Sequence, residues 1–168
     1  MNNDQDFTAM NFMSTTSCLH DSDLAWLPMH PGLAGVEIKY IFVDTANDEL
    51  TCLLKIPAGM ALPRHRHEGP VLVHTLQGEW RYWEYDWVAR AGSTVREPAG
   101  SCHTPIALAH NKIDVVTFNI MRGDLVLISE AGNTIARENC NSALERLLKF
   151  DGGVNSPGAM HVAKSAQQ

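Results

Sequence analysis

Alternating apolar and polar positions fill most of the chain between Gly35 and Arg137, a period-two pattern that marks strands half buried against a core. Val36–Val43 is rich in β-branched and aromatic residues, Asp44–Asp48 is a polar turn, and Leu50–Ile56 reads as the returning strand, stopped by Pro57. Val71–Leu76 runs to a Gln77-Gly78 turn, and Glu79–Tyr85 pairs back before a turn at Arg90-Ala-Gly92. Thr94–Glu97 leads into Pro98-Ala-Gly100, and Ile113–Ile120, Asp124–Ile128 and Thr134–Arg137 add further strands. Many short strands at regular spacing predict an all-β sandwich or barrel. One stretch changes period: Ser142-Ala-Leu-Glu145 has the form of a capping box, Leu144, Leu147 and Leu148 make a helical stripe, and Gly152-Gly153 ends it. The prediction is one C-terminal surface helix on the sheet. Ahead of the strands, Leu24–Gly32 mixes apolar residues with prolines and suits a segment lying along a sheet edge. Residues 1–17 read as a flexible N-terminal arm, which could also add a strand across a subunit boundary, and residues 154–168 as a flexible tail.

A chain of 168 residues suits one domain with a sizeable core. Its net charge of −6 and pI near 5.7 speak against a nucleic-acid footprint, which needs a basic patch. No apolar run approaches the roughly 20 residues of a membrane span, and the polar, acidic start lacks a secretory pattern. The expectation is a soluble, cytoplasmic protein with no membrane partner. Cys18, Cys52, Cys102 and Cys140 are scattered without a C-x-x-C pair, so free thiols are expected.

The chemistry concentrates in the histidines. In a strand, residues i and i+2 share a face, so His65 and His67 present two imidazoles side by side. On its own, His-x-His also describes two solvated histidines on a surface strand. A third imidazole is available at His103, just past the Pro98-Ala-Gly100 turn, and an antiparallel sheet could fold the two segments together into a three-histidine metal site. Cys102 and His103 point to opposite faces, which makes Cys102 a packing residue. Trp80 and Tyr82 share a face and could line an aromatic pocket, opposite Glu79, Arg81 and Trp83. Arg64 and Arg66 point away from the imidazoles. His74 has the wrong parity for the site if Val71 faces inward, His20 and His30 read as exposed or capping residues, and His110 and His161 have no evident partner. Glu97 is either a carboxylate beside the metal, placed to take a substrate proton, or a surface charge paired with Arg96 or Arg81.

The spacings Gly59-x5-His65-x-His67-x10-Gly78 and Gly92-x5-Pro98-x-Gly100-x2-His103 resemble the two signature motifs of the cupin superfamily. The resemblance implies a jelly-roll β-barrel over residues 18–153 with a metal held inside by His65, His67 and His103. Two departures accompany it. Cupins commonly carry a glutamate about four residues after the second histidine, where this chain has Val71 and Leu72, and an asparagine four after the last, where it has Ala107. The resulting three-histidine form resembles the dioxygenases that cleave acetylacetone and 2,4'-dihydroxyacetophenone. That likeness implies an Fe(II)-dependent dioxygenase that cleaves a C–C bond of an α-hydroxyketone or β-diketone with O2, yielding carboxylic acids, with Glu97, Tyr82 and Trp80 at the reacting centre. Zn(II), Ni(II) or another divalent metal would also suit such ligands. Alternatives on the same barrel are a non-enzymatic metal or ligand sensor related to anti-sigma-factor domains, and an isomerase or decarboxylase that uses no O2. A homodimer or higher homo-oligomer is expected, since small cupins bury sheet edges against each other.

Overall fold

The computed structural model describes residues 18–150, so the N-terminal arm, the tail with His161 and the Gly152-Gly153 stop lie outside the described residues. Among the described residues, thirteen strands and one α-helix make up the regular structure, with a short 3-10 turn at Asp21–Asp23. A six-stranded antiparallel sheet contains β1 (Leu27–Pro28), β2 (Glu37–Asp44), β3 (Glu49–Ile56), β11 (Val115–Arg122), β5 (Val71–Gln77) and β8 (Thr94–Glu97), in that order. Facing it is a four-stranded sheet ordered β13 (Thr134–Glu138), β12 (Leu125–Ile128), β4 (His65–His67) and β9 (Cys102–His103). A third sheet of β10 (Pro105–Ala107), β6 (Glu79–Tyr82) and β7 (Ala89–Arg90) completes the jelly-roll arrangement.

Period-two burial sorts the side chains as the sequence predicts. On β5, Val71, Val73 and Thr75 are buried and Leu72 and Leu76 face out. The core joins Ile38, Tyr40, Leu50, Cys52, Val115 and Met121 of the large sheet to Leu127 of the smaller one. Gly78 makes the tight turn between β5 and β6 with φ of +78°, and a Cβ there would stand 2.9 Å from Val115 Cγ2. The proline-rich segment does lie on an edge: Leu27 and Pro28 pair with Ile38 and Glu37. All four cysteines are free. Among the described residues, no helix is long and apolar enough to cross a membrane.

Three local readings change. The strand predicted over Glu79–Tyr85 ends at Tyr82, because the chain turns there: Tyr85 N–H donates to Tyr82 O at 3.2 Å, and the Glu84 carboxylate accepts from Thr104 N–H and Oγ1–H, both at 2.9 Å. Pro105–Ala107 is a strand that the prediction lacks; proline is tolerated at its first position. The helix, α1, spans Cys140–Phe150, so its cap is Asn139 and not Ser142. Asn139 Oδ1 accepts from Ser142 N–H at 3.0 Å while Ser142 Oγ accepts from Asn139 N–H at 2.9 Å, a reciprocal box displaced three residues toward the N-terminus. Helix α1 buries Cys140 and Ala143 against the barrel.

Candidate metal centre

Two neighbouring strands assemble the histidine cluster. On β4 the burial pattern puts His65 and His67 inside and Arg66 outside, and β9 pairs antiparallel with β4 so that His103 lies directly opposite His65. Cys102 pairs with outward-facing Arg66, which places its thiol on the other face, as expected. The Pro98–Gly100 turn is pinned to the same strand: Gly100 N–H donates to His67 O at 2.7 Å, and His67 N–H donates to Ser101 O at 3.0 Å. The rings of His65 and His67 are 4.8 Å apart, those of His65 and His103 4.8 Å, and those of His67 and His103 5.2 Å. One nitrogen from each of the three lies within 4.8 Å of the other two, so the group could hold a metal ion.

Glu97 reaches the cluster from the facing sheet. It ends β8 directly opposite Val71 of β5, the neighbourhood in which cupins commonly carry their glutamate. A carboxylate therefore stands in that region, supplied by the adjacent strand. Glu97 is 3% exposed and does not pair with Arg96 or Arg81. Its Oε1 accepts a hydrogen bond from the Tyr82 hydroxyl, while Oε2 lies 2.9 Å from His67 Nε2 and 3.4 Å from His103 Nε2. These last two approaches lack hydrogen-bond geometry, and His67 Nδ1, Glu97 Oε2 and His103 Nε2 are buried without a hydrogen-bond partner among the described residues. Each such orphan costs about 1–3 kcal/mol. A cation among the rings would take up lone pairs that the protein leaves unused, so the donor set fits a divalent metal.

Electrostatics favour a neutral His65 beside an ionised Glu97. Burial, then the proximity of His67 and His103, pushes the His65 imidazolium down to about 3. Burial works to raise the Glu97 carboxyl, but the imidazoles of His103 and His67 and the Tyr82 hydroxyl outweigh it and hold the group below the usual carboxylate range. Burial and the Glu97 charge push the Tyr82 hydroxyl well above its ordinary value, so it remains a donor.

Trp80 and Tyr82 share the inner face of β6, as predicted. The Tyr82 ring stacks on His103 at 3.8 Å and 19°, and Trp80 Nε1–H donates to Thr75 Oγ1 at 2.8 Å. Ala107, at the position where cupins commonly carry asparagine, lies directly opposite Trp80 in the β10–β6 pair, and its small side chain leaves room for the indole. A largely apolar cavity of about 80 Å³ extends inward from His65, His67 and Glu97. Outside, a vestibule of about 450 Å³ shares Tyr82, Glu97 and His103 with the site and carries Tyr85 and Trp87, whose rings stack at 5.6 Å.

The other described histidines stay apart from the cluster. His74 Nδ1 contacts Thr94 Oγ1 at 2.8 Å on the outer face of the large sheet, and His110 pairs with Glu79 at 2.9 Å. His20 and His30 cap turns, accepting from Ser22 N–H and Gly32 N–H.

A second buried polar cluster escaped the sequence reading. Arg146 of α1 forms two hydrogen bonds to Glu138 of β13, at 2.8 and 2.9 Å, and the Tyr40 hydroxyl of β2 donates to the same carboxylate. Glu138 also lines the inner cavity. The signal present in the sequence was Glu138 at the end of a β segment and Arg146 on the helix; nothing local joined either to Tyr40.

The description "ChrR Cupin-like domain" belongs to a family profile that matches residues 14–122. Among curated proteins, none matches the chain. An RmlC-like cupin protein from Ralstonia eutropha JMP134 is 44% identical, covering 85% of this chain and 92% of its own, with a TM-score of 0.80. A protein with a cupin-like fold from the same organism is 22% identical over 84% of this chain and 91% of its own, with a TM-score of 0.73. An acetylacetone dioxygenase from Acinetobacter johnsonii is 18% identical over 80% of this chain and 91% of its own, with a TM-score of 0.67, a likeness of fold. With its paired sheets, its two histidine motifs and a profile match over well over half its length, the chain belongs to the ChrR cupin-like family of the cupin superfamily.

Proposed function

We propose that the protein is an Fe(II)-dependent dioxygenase that cleaves a C–C bond of a small α-hydroxyketone or β-diketone. The observation that carries this reading is the set of three buried imidazoles with one carboxylate, Glu97, whose Oε1 is engaged by Tyr82 and whose Oε2 is free. Three neutral ligands would leave a divalent ion its full charge and open positions, a setting suited to an anionic chelate such as an enolate. Fe(II) bound by His65, His67 and His103 would supply the Lewis acidity and the redox chemistry for O2 to add to such a substrate.

The chain's own groups do the rest. Glu97 Oε2 accepts the proton that the ketone loses as it becomes the enolate, and the hydrogen bond from Tyr82 holds the carboxylate in place. Stacking on His103 fixes the Tyr82 ring, and the Trp80–Thr75 bond fixes the indole beside it. The apolar cavity walls exclude water from the enolate. For an α-hydroxyketone the balance closes without a reductant: one ketone and one O2 yield two carboxylic acids.

Size favours an aliphatic substrate. The inner cavity, at about 80 Å³, is roughly half the 150 Å³ void that admits benzene in a protein core. An aryl ketone would need its ring in the outer vestibule, against Tyr85 and Trp87. The test is oxygen uptake by anaerobically iron-loaded protein over a panel of short α-hydroxyketones, acetylacetone and 2,4'-dihydroxyacetophenone. Consumption of O2 in step with acid formation is expected. A flat trace with iron bound would overturn the dioxygenase reading and favour the metal-sensing or non-oxidative alternatives.

A further inference from the structure

The inner cavity has a second polar end, away from the histidines. Its lining is aliphatic between the two, through Leu54, Val73, Met121 and Leu125, but Thr117 and Asn119 of β11 and Glu138 of β13 also border it. Register gives the separations: Asn119 pairs with Val73 and Val73 with Val95, two residues before Glu97, while Glu138 pairs with Leu125 and Leu125 with His67, so each lies two strand spacings, about 10 Å, from a strand that carries a site residue. Asn119 stands on a central strand between Cys52 and Val73, an interior position where asparagine is unfavourable unless it is used.

The side chain's bonds show what is left over. Asn119 Nδ2 donates to Thr117 O at 3.2 Å and to Thr117 Oγ1 at 3.0 Å, both on its own strand. Among the described residues, Asn119 Oδ1 has only the Thr117 hydroxyl, at 3.4 Å, so an acceptor with spare capacity borders the cavity. A bulge in β5, where Leu76 is passed over between Gln77 and Thr75, breaks the pairing with β11 just before these two residues, an irregularity common beside sites. Glu138 also borders the cavity, although Arg146 and Tyr40 engage its carboxylate.

We propose that Asn119, with Thr117, is a specificity-determining residue that accepts a hydrogen bond from a hydroxyl at the end of the substrate remote from its chelating oxygens. The inference rests on the substrate reading above and narrows it. The ligand is a short aliphatic hydroxyketone with donor character at its far end, not a plain diketone.

Matched probes test this: 1,4-dihydroxybutan-2-one and 1-hydroxybutan-2-one differ only in the distal hydroxyl. Their affinities for iron-loaded protein are measured anaerobically by calorimetry, for the wild type, Asn119→Val and Thr117→Val. In Asn119→Val the dihydroxy probe is expected to bind about tenfold more weakly, and the monohydroxy probe to stay within about twofold. Equal losses for both probes, or no loss for either, would overturn the assignment. Thermal melting of the metal-free variants separates packing from recognition: a change of a few degrees fits the proposal, and a collapse of the fold in both variants overturns it. If neither probe binds iron-loaded wild type, the hydroxyketone class falls too, whereas selective binding without the variant effect removes only the role of Asn119.

Discussion

Replacing Arg146 by alanine should destabilise the protein well beyond the usual surface substitution, and the geometry sets the size of the effect. Two hydrogen bonds, at 2.8 and 2.9 Å, tie the guanidinium to a carboxylate whose side chain is only 4% exposed. Removing one partner of a fully buried pair costs about 3–5 kcal/mol, since the remaining charge is left without compensation. Here the Arg146 side chain is 23% exposed, and Glu138 keeps the Tyr40 hydroxyl, so a loss of about 2–3 kcal/mol is expected. For a domain of this size that corresponds to a fall in Tm of about 4–12 °C, measured by calorimetry on metal-free protein. The triple variant Tyr40→Phe, Glu138→Leu, Arg146→Leu removes all three polar partners together and should recover most of the loss, because an apolar replacement leaves no orphan. A fall below about 2 °C for Arg146→Ala, or a triple variant less stable than the single one, would refute the reasoning.

Glu97→Gln should retain its metal while turnover falls about 10²–10⁴-fold, the range for loss of a positioned base; a drop under fivefold would remove Glu97 from the chemistry. Acid should destabilise the metal-free protein. The folded His65 value, about 3, lies below its ordinary 6.5, so the unfolded chain binds that proton first: the stabilisation is complete above pH 6.5 and declines as the pH falls from there toward 3. Glu97, held below its ordinary 4.5, adds stability above that pH and loses it as the pH falls toward its folded value, which acts in the same direction. Urea midpoints followed from pH 7 to 4 should show the decline, and His65→Ala should flatten its upper part; a midpoint independent of pH would contradict the charge arrangement. Gly78→Ala should cost about 2–4 kcal/mol by urea titration, since a side chain at φ of +78° is strained and its Cβ would crowd Val115; a neutral result would contradict the turn geometry.

Much of the site could be read from parity. His65 and His67 share a face because they are two residues apart in a strand, and the Pro98–Gly100 turn brings His103 back opposite His65. The same parity placed Trp80 and Tyr82 together and excluded His74 and Cys102. Glu97 was open to two readings because its cross-strand neighbour, Val71, is 26 positions away, and only pairing shows that the carboxylate stands beside the imidazoles. The Tyr40–Glu138–Arg146 cluster was out of reach for a stronger form of the same reason: Tyr40 and Glu138 are 98 residues apart, and no local period links a strand, a second strand and a helix. Asn119 and Thr117 went unmarked within the Ile113–Ile120 strand, although polar residues at alternate positions of an apolar strand are a conflict between pattern and composition that in folded proteins often marks function. The helix start was misplaced because Asn139 and Ser142 both suit a cap, and their mutual hydrogen bonds decide between them.

The central claim is that His65, His67 and His103 share one metal ion. X-ray absorption at the iron edge, on protein loaded with Fe(II) without oxygen and freed of unbound metal, tests it most directly. The account predicts one iron per chain with three imidazole nitrogens in its first shell, and loss of that signal in His103→Ala but not in His74→Ala. Iron that is not retained, or a first shell without histidine nitrogen, would contradict it.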